Sequence, residues 1–438
     1  MKYFGTDGIR RKAEEFTPEF LARVVRGLID YAGDEIRVML AGDTRESSEW
    51  MLQDLAMALE SFGVEYALAG VLPTPAINYC FYKMGFDFAI DVTASHNPYT
   101  DNGIKIFERG EKCGRKLCEQ GCEAIEKAIA AEQTYALVST TLEDDIHEEA
   151  VELYIAHLLE YLGTTDLSGL SIAMDCANGA TSVVGKTVFE ELGAKVELIN
   201  ADARYGTRIN RECGSTHLGA VSELVMKQGL DFGVAYDGDG DRCLLVDGAG
   251  EEVDGDQMIA LLARQLGLPK IAVTVMANQG LLNWAKEAGV LVEVTAVGDS
   301  NVAAAMRSND IALGGEQSGH IILPGEPTGD GILTSLMVAK TVSETAESLT
   351  TLAKVFVKLP QVMVNIEADT KQKEALKTSD EVKALLLEYS RKLGELEGRL
   401  LVRPSGTEPL IRITMWGNDK KAIGKLAEEL ADKLERTI

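Results

Sequence analysis

The chain has 438 residues, of which 46% are hydrophobic, and its formal net charge is −26 at pH 7. Such a length exceeds one hydrophobic core, so several domains are expected. The acidic balance excludes a general nucleic-acid binder and a protein that docks on anionic membranes. The acidic balance does not exclude a small phosphorylated ligand that binds in a local basic pocket.

The N-terminus and the cysteines indicate a cytoplasmic location. No apolar run is long enough to predict a membrane span, and no signal peptide is expected at the N-terminus. The seven cysteines are an odd number spread over a large chain, which is typical of free thiols. Cys113, Cys118 and Cys122 cluster, but no fourth ligand follows at a zinc-site spacing, so thiols are favoured over zinc.

Residues 1–150 predict a first α/β domain. Its predicted strands are 37–40, 64–69, 86–92 and 103–107, and its predicted helices are 47–62 and 115–131. A polar, acidic stretch at 134–145 is expected to lead to the next domain.

The pattern over residues 151–252 predicts a second α/β domain. Its first predicted helix begins a few residues earlier, at residue 146. The predicted helices are 146–162, 180–192 and 217–229, and the predicted strands are 170–174, 195–199 and 232–236. Residues 180–187 also fit a loose nucleotide P-loop pattern. Stiff Val183 and Val184, with apolar spacing that continues through Lys186, favour a helix instead.

The rest of the chain predicts a third α/β domain, 253–357, and a smaller α+β domain, 358–438. In the third, the predicted strands are 271–275, 291–295 and 311–313, with a helix at 332–341. In the fourth, the predicted strands are 362–366, 399–402 and 410–415, and the predicted helices are 371–393 and 420–436.

Each of the first three domains delivers a polar loop directly after a short apolar strand. These loops are Thr-Ala-Ser-His-Asn-Pro at 93–98, Asp-Gly-Asp-Gly-Asp-Arg at 237–242, and Gly-Gly-Glu-Gln-Ser-Gly-His at 314–320. Open α/β sheets bind ligands at the carboxyl ends of their strands. The sequence therefore predicts three similar units, each with one functional loop.

In the first loop, Ser95 is placed for nucleophilic chemistry. His96 is its neighbour, and Lys105 follows ten residues later. Serine and Asn-Pro are also ordinary turn residues, so a plain turn stays open at this point.

In the second loop, Asp237, Asp239 and Asp241 alternate with glycines. Three carboxylates this close together call for a cation, and hard oxygen ligands suit magnesium or calcium. An EF-hand is excluded, because Arg242 stands at the loop glycine position and Gly248 stands where a bidentate Glu is needed. A solvated acidic turn is the alternative.

Two further groups predict substrate contacts. Glu316, Ser318 and His320 can exchange hydrogen bonds with sugar hydroxyls, although Glu beside Ser can also cap a helix. An anion nest, with a plain strand-connecting turn as its alternative, is predicted from Arg403, Ser405, Gly406 and Thr407.

Five motifs in order make the chain resemble the α-D-phosphohexomutase superfamily, and most closely its phosphoglucosamine mutases. They are Gly-Thr-Asp-Gly-Ile-Arg at 5–10, the three loops above, and Arg-Pro-Ser-Gly-Thr-Glu-Pro at 403–409. The resemblance implies three similar mixed-sheet α/β domains plus a smaller C-terminal α+β domain around a central cleft.

The resemblance also implies a chemistry centred on Ser95. In that family the serine carries a phosphoryl group, and Mg²⁺ is held by this serine together with Asp237, Asp239 and Asp241. The phosphoryl group passes between C6 and C1 of a hexose through a 1,6-bisphosphate, which also acts as an activator.

The remaining roles follow from the same resemblance. Lys105 and Arg10 are expected at the reacting centre, and His96 is expected to hold the loop by hydrogen bonds. Arg242 is expected beside the phosphate, and Glu316, Ser318 and His320 are expected to grip the sugar. The residues of the 403–407 nest are expected to hold the phosphate that is not reacting.

The expected reaction interconverts glucosamine 6-phosphate and glucosamine 1-phosphate. The alternatives are a phosphoglucomutase or phosphomannomutase, a metal-dependent sugar phosphatase, and a phosphosugar-binding protein without activity. The expected partner is a phosphosugar, with neither nucleic acid nor membrane, and the sequence leaves a homodimer open.

Overall fold

The computed structural model describes residues 1–142, 145–405 and 409–438, which form two compact units. The first unit contains Met1–Thr274 and Glu293–Lys354, and the second contains Val275–Val292 and Val355–Ile438. Among the helices described, none combines the length and apolar character that crossing a membrane requires.

The first sheet of the first unit has seven strands. Its order is β1-β2-β6-β5-β3-β4, with β7 also paired to β6, and only the pairs of β3 with β4 and β5 are parallel. The strands are β1 (Phe4–Gly5), β2 (Gly8–Lys12), β3 (Arg37–Gly42), β4 (Glu65–Val71), β5 (Phe88–Val92), β6 (Asp101–Arg109) and β7 (Gly114–Lys116).

Four helices accompany this sheet: α1 (Pro18–Ala32), α2 (Glu46–Ser61), α3 (Thr74–Lys83) and α4 (Glu119–Ala130). Helix α1 was not predicted, although its start is marked by Thr17, whose side chain accepts from the Phe20 N–H, and by proline at the first turn. It packs closely on α4, because a Cβ on Gly27 would lie only 2.4 Å from the Cα of Ile125.

The second sheet has the order β12-β11-β10-β8-β9, with parallel pairs of β8 with β9 and β10. Its strands are β8 (Ser171–Asp175), β9 (Lys195–Ile199), β10 (Phe232–Tyr236), β11 (Cys243–Asp247) and β12 (Glu252–Val253). The helices of this region are α5 (His147–Leu162), α6 (Gly185–Glu191) and α7 (Gly219–Gln228). Lys186 lies within α6 and pairs with Glu190, so the helical interpretation of this segment is confirmed.

The third sheet has the order β14-β13-β15-β16. Its strands are β13 (Lys270–Thr274), β14 (Leu291–Thr295), β15 (Gly314–Gly315) and β16 (Ile321–Ile322). The helices of the first unit here are α8 (Gly255–Gln265), α10 (Asp299–Asn309), α11 (Gly331–Thr345) and α12 (Leu349–Leu352), while α9 (Gln279–Ala288) belongs to the second unit.

The second unit contains an antiparallel sheet of order β17-β19-β18. Its strands are β17 (Gln361–Glu367), β18 (Arg399–Pro404) and β19 (Leu410–Trp416), and its C-terminal helices are α13 (Thr370–Thr378), α14 (Asp380–Gly394) and α15 (Lys420–Thr437). Leu393, Ile413 and Leu430 are fully buried in its core. The predicted fold class, three mixed α/β sheets and a smaller C-terminal α+β domain, is confirmed.

Three predicted elements were wrong in detail. Residues 114–116 are a strand paired with β6, so the helix predicted at 115–131 starts only at Glu119. The strand predicted at 311–313 lies at Gly314–Gly315, because the ladder to β13 forms there. The helix predicted at 371–393 is two helices, since Ser379 is extended and caps α14 by accepting from the Val382 N–H.

Candidate active site

Three loops of the first unit carry most of the predicted site residues. The serine loop follows β5, the aspartate loop follows β10, and the loop with Glu316 follows β15. The last two loops touch through an isolated β-bridge between Arg242 and His320. The first two approach so closely that a Cβ on Gly238 would lie 2.7 Å from the carbonyl oxygen of Ser95.

Ser95 is fully buried, and its backbone has a φ of 53°. This left-handed conformation is uncommon for a residue other than glycine, and such strain concentrates at functional sites. The Ser95 hydroxyl donates to Oδ2 of Asp237 at 2.7 Å. The structure thus brings the predicted nucleophile directly against the predicted metal loop.

Asp237, Asp239 and Asp241 are buried, and each offers a carboxylate oxygen within 4.8 Å of the others. Burial raises the pKa of Asp237 well above its usual range, and the two neighbouring aspartates add to this effect. Burial also opposes ionisation of Asp241, but Lys105, His320 and Arg242 together outweigh it and lower the pKa of Asp241 to about 2. Oδ1 of Asp239 and Oδ1 of Asp241 have no hydrogen-bond partner among the described residues. Two buried carboxylate oxygens therefore stay available to a cation.

Lys105 lies on β6 and is buried beside these carboxylates. Its Nζ donates to Asp239 at 2.6 Å and to Asp241 at 3.0 Å, and it lies 3.3 Å from Oδ2 of Asp7. Burial disfavours its charge, but the three aspartates outweigh this and raise the pKa of Lys105 well above its usual range. The lysine is therefore a fixed cation.

His96 lies between the serine and Arg242. Its Nδ1 is 3.2 Å from the Ser95 Oγ and 3.2 Å from Nη1 of Arg242. Burial, together with Arg242 and Arg10, lowers the pKa of His96 to about 4. At neutral pH the imidazole is uncharged, so Nδ1 can accept a hydrogen bond and the ring supplies no positive charge.

Arg10 lies on β2 and pairs with Asp7. The sequence interpretation named Arg10 but did not name Asp7 as a site residue. Asp7 also pairs with Lys116 at 2.6 Å, and Lys116 pairs in turn with Asp299 at the start of α10. Burial opposes the charge of Asp7, but its cationic neighbours lower the pKa of Asp7 well below the usual range. The position of Asp7 inside the first motif was a signal for its role, whereas nothing local pointed to Asp299.

The loop with Glu316 presents both exposed and buried polar groups. Glu316 is half-buried and accepts from the Gly298 N–H at 3.1 Å, while Ser318 is exposed. His320 is buried, and its Nε2 accepts from the Gly329 N–H at 3.3 Å. Three polar side chains are therefore grouped next to the aspartate loop.

Arg403 and Ser405 belong to the second unit. Arg403 lies on β18 directly opposite Arg412 of β19. Burial and Arg412 both lower the pKa of Arg403. Like charges placed directly opposite each other on neighbouring strands repel. The predicted nest residues Gly406 and Thr407 lie outside the described residues.

Comparison with known proteins identifies the family. Models of the phosphoglucomutase/phosphomannomutase family match at residues 1–136 (alpha/beta/alpha domain I), 152–250 (domain II), 254–359 (domain III) and 363–433 (C-terminal domain). The chain is 42% identical to a phosphoglucosamine mutase of Caldicellulosiruptor bescii, over 100% of this chain and 99% of that protein. It is also 42% identical to a phosphoglucosamine mutase of Mycobacterium marinum, over 98% of each chain.

A solved structure shares the fold over nearly the whole length. The crystal structure of a phosphoglucomutase/phosphomannomutase family protein from Burkholderia thailandensis matches with a TM-score of 0.77 and 20% identity, over 98% of this chain and 97% of that one. With the full-length relatives and the four matched family models, this shows that the chain belongs to the phosphoglucomutase/phosphomannomutase family, the α-D-phosphohexomutases.

Proposed function

We propose that this protein is a phosphoglucosamine mutase, which interconverts glucosamine 6-phosphate and glucosamine 1-phosphate. The observation that carries the proposal is the Ser95 hydroxyl, held 2.7 Å from Asp237 inside a buried cluster of three aspartates. The full-length relatives at 42% identity support the choice of glucosamine phosphate. The seven free thiols suit a reducing compartment, so the proposal places the enzyme in the cytoplasm.

The donor set of the cluster fits a magnesium ion. Three buried carboxylates provide hard oxygen ligands, and Oδ1 of Asp239 and Oδ1 of Asp241 have no hydrogen-bond partner among the residues that the structure describes. Asp237, Asp239, Asp241 and an oxygen on Ser95 would hold the ion. When bound, Mg²⁺ would neutralise charge on the phosphoryl group in transfer.

The first half-reaction starts from phosphorylated Ser95 and glucosamine 6-phosphate. The bond between phosphorus and the Ser95 Oγ breaks, and a bond between phosphorus and O1 of the sugar forms. The O1 proton leaves to a base, and the serine oxygen takes up a proton. The product is glucosamine 1,6-bisphosphate, so this compound or its glucose analogue should activate an unphosphorylated enzyme.

The second half-reaction returns a phosphoryl group to the serine. After the bisphosphate has reversed its orientation in the site, the bond between O6 and phosphorus breaks and a bond between phosphorus and the Ser95 Oγ forms. The proton of the Ser95 hydroxyl leaves to a base. O6 takes up a proton, and glucosamine 1-phosphate leaves. No co-substrate is consumed, which is the balance of an isomerase.

The fixed cations of the first unit suit this transfer. Lys105 and Arg10 would face the charge that develops on the phosphoryl oxygens, because Lys105 is held by buried Asp239 and Arg10 by partly buried Asp7. Neutral His96 would orient the serine oxygen through Nδ1. Arg242 would lie beside the transferred phosphate.

Recognition of the sugar and of the second phosphate is assigned to separate groups. Glu316, Ser318 and His320 would bind sugar hydroxyls in either orientation of the bisphosphate. The phosphate that is not reacting would be bound by Arg403, Ser405, Gly406 and Thr407. The proposal divides these tasks among four domains, 1–150, 151–252, 253–357 and 358–438.

The test combines intact mass with product analysis. Wild-type protein should contain molecules about 80 Da heavier, whereas Ser95→Ala should not. With Mg²⁺ and glucosamine 6-phosphate, ³¹P NMR should show glucosamine 1-phosphate for the wild type and for the control Ser308→Ala, an exposed serine on α10. Full turnover by Ser95→Ala would contradict the mechanism.

The same spectra separate the alternatives. Release of inorganic phosphate in place of the 1-phosphate would indicate a phosphatase. A higher kcat/KM for glucose or mannose 6-phosphate than for glucosamine 6-phosphate would indicate a phosphoglucomutase or phosphomannomutase, whose names the matched family models bear.

A further inference from the structure

The back of the serine loop is held by an arginine whose side chain is fully buried. Arg45 donates to the carbonyl oxygens of Ser95 at 2.9 Å, Asn97 at 2.9 Å and Pro98 at 2.7 Å. Its Nε donates to Asp43 at 2.9 Å, and this pair is completely shielded from solvent. One guanidinium thus gathers three backbone carbonyls of the loop that carries the nucleophile.

A second side chain donates to two of these three carbonyls. Asn210, in the segment between β9 and α7, donates its amide to Ser95 at 2.7 Å and to Asn97 at 3.1 Å. The same amide nitrogen would lie 2.9 Å from a Cβ on Gly238. Asn210 therefore bonds the serine loop and lies against the aspartate loop.

The buried Arg45–Asp43 pair and the backbone conformation of Ser95 both cost free energy, which an ordinary turn would avoid. A buried ion pair carries a desolvation penalty that neutral donors would avoid, and Ser95 at a φ of 53° adds backbone strain. Such a conformation persists only when its surroundings over-determine it. Five hydrogen bonds from Arg45 and Asn210 supply that constraint.

The constraint also fixes the direction of the peptide that follows Ser95. None of the described peptide bonds is cis, so the carbonyl and the N–H of each peptide point in opposite directions. With the Ser95 carbonyl drawn toward Arg45, the His96 N–H points away from it. A shift of this loop backbone would move the Cα of Ser95 and, with it, the Oγ that donates to Asp237.

We infer that Arg45 and Asn210 are positioning residues for the phosphoryl-carrying serine, acting on the backbone of its loop. Neither contacts the Ser95 Oγ, so neither is a catalytic residue. Together they hold the Ser95 Oγ in position against the aspartate loop. This position sets the rate of phosphoryl transfer and does not affect sugar binding. The inference rests on the proposed function, because it concerns the group that would carry the phosphoryl.

The test compares two variants with two matched controls. Asn210→Gly removes the shared donor and tolerates the native φ of 55°, and Arg45→Lys keeps the charge beside Asp43 but loses the fork of donors. The control Asn200→Gly removes an amide donor at a φ of 47°, where it bonds Asp175 and not the loop. The control Arg26→Lys changes an exposed arginine paired with Asp30.

The readouts are kcat, KM, the thermal midpoint, and the rate at which glucosamine 1,6-bisphosphate adds about 80 Da to the protein. Both variants should lose roughly 10–100-fold in kcat and in this rate, with KM within about twofold, because small misplacements cost that much. The double variant should lose less than the product of the single losses, since both residues act on the same two carbonyls.

A lower thermal midpoint of Asn210→Gly with an unchanged kcat would overturn the inference, because a purely structural role predicts that outcome. Asn210→Gly removes no charge, so it decides the question even if Arg45→Lys does not fold. Failure of the wild type to become phosphorylated would instead overturn the proposed function. A phosphorylated wild type with an equally fast Asn210→Gly would overturn only the positioning role.

Discussion

Replacing Asp330 by asparagine should make the protein more stable above neutral pH. Asp330 caps α11, because its Oδ1 accepts from the Leu333 N–H at 2.8 Å, and its Oδ2 accepts from the Tyr154 hydroxyl at 2.8 Å. It is 2% exposed, and burial raises the pKa of Asp330 to about 7. Asparagine keeps the cap and can donate to the Tyr154 oxygen.

The direction of this pH effect follows from the pKa of Asp330 in the folded chain and in the unfolded chain. In the unfolded chain the pKa of an aspartate is about 3.9, so the unfolded state ionises first as the pH rises. The stability that protonated Asp330 confers is complete below about pH 4 and is lost as the pH rises to about 7. A difference of about three pKa units corresponds to roughly 4 kcal/mol.

The assay is thermal unfolding of wild type, Asp330→Asn and the exposed cap variant Asp419→Asn at pH 5 and pH 8. The thermal midpoint of Asp330→Asn should exceed that of the wild type by roughly 5 °C or more at pH 8, and the gap should narrow at pH 5. Asp419→Asn should show the same small difference at both pH values. A gap for Asp330→Asn that is equal at pH 5 and pH 8 would refute the reasoning.

Two further predictions concern the loops. Gly179→Ala should lower the thermal midpoint by roughly 2–10 °C, because its Cβ would lie 2.3 Å from the backbone oxygen of Gly238, whereas Gly219→Ala has open space and should not. Glu316→Gln should raise KM for glucosamine 6-phosphate roughly tenfold with an unchanged midpoint, since a charged acceptor is lost. An unchanged KM, or an equal rise for exposed Glu190→Gln, would contradict the assignment of Glu316 to the sugar.

Much of the fold followed from local patterns. The strands predicted at 195–199, 232–236 and 291–295 are confirmed, because short segments rich in β-branched and apolar residues between turn residues are typical of strands. The boundaries that were wrong depend on partners elsewhere in the chain. Residues 114–116 form a strand only because β6 offers a free edge, and Gly314–Gly315 pair only because β13 lies alongside.

The chemistry of the site divides in the same way. The sequence by itself determined which groups are available, namely a serine, three aspartates and a lysine, because residue type and spacing are local properties. It also placed each loop after a strand, where ligands are expected.

Only the tertiary structure decided which charges meet. Lys105 and Asp239 are 134 residues apart in the chain and 2.6 Å apart in space, and Arg45 reaches a loop 50 residues away. Electrostatic energy depends on distance and on burial, and neither can be obtained from spacing along the chain. The tertiary structure therefore makes Lys105 a fixed cation and His96 a neutral acceptor.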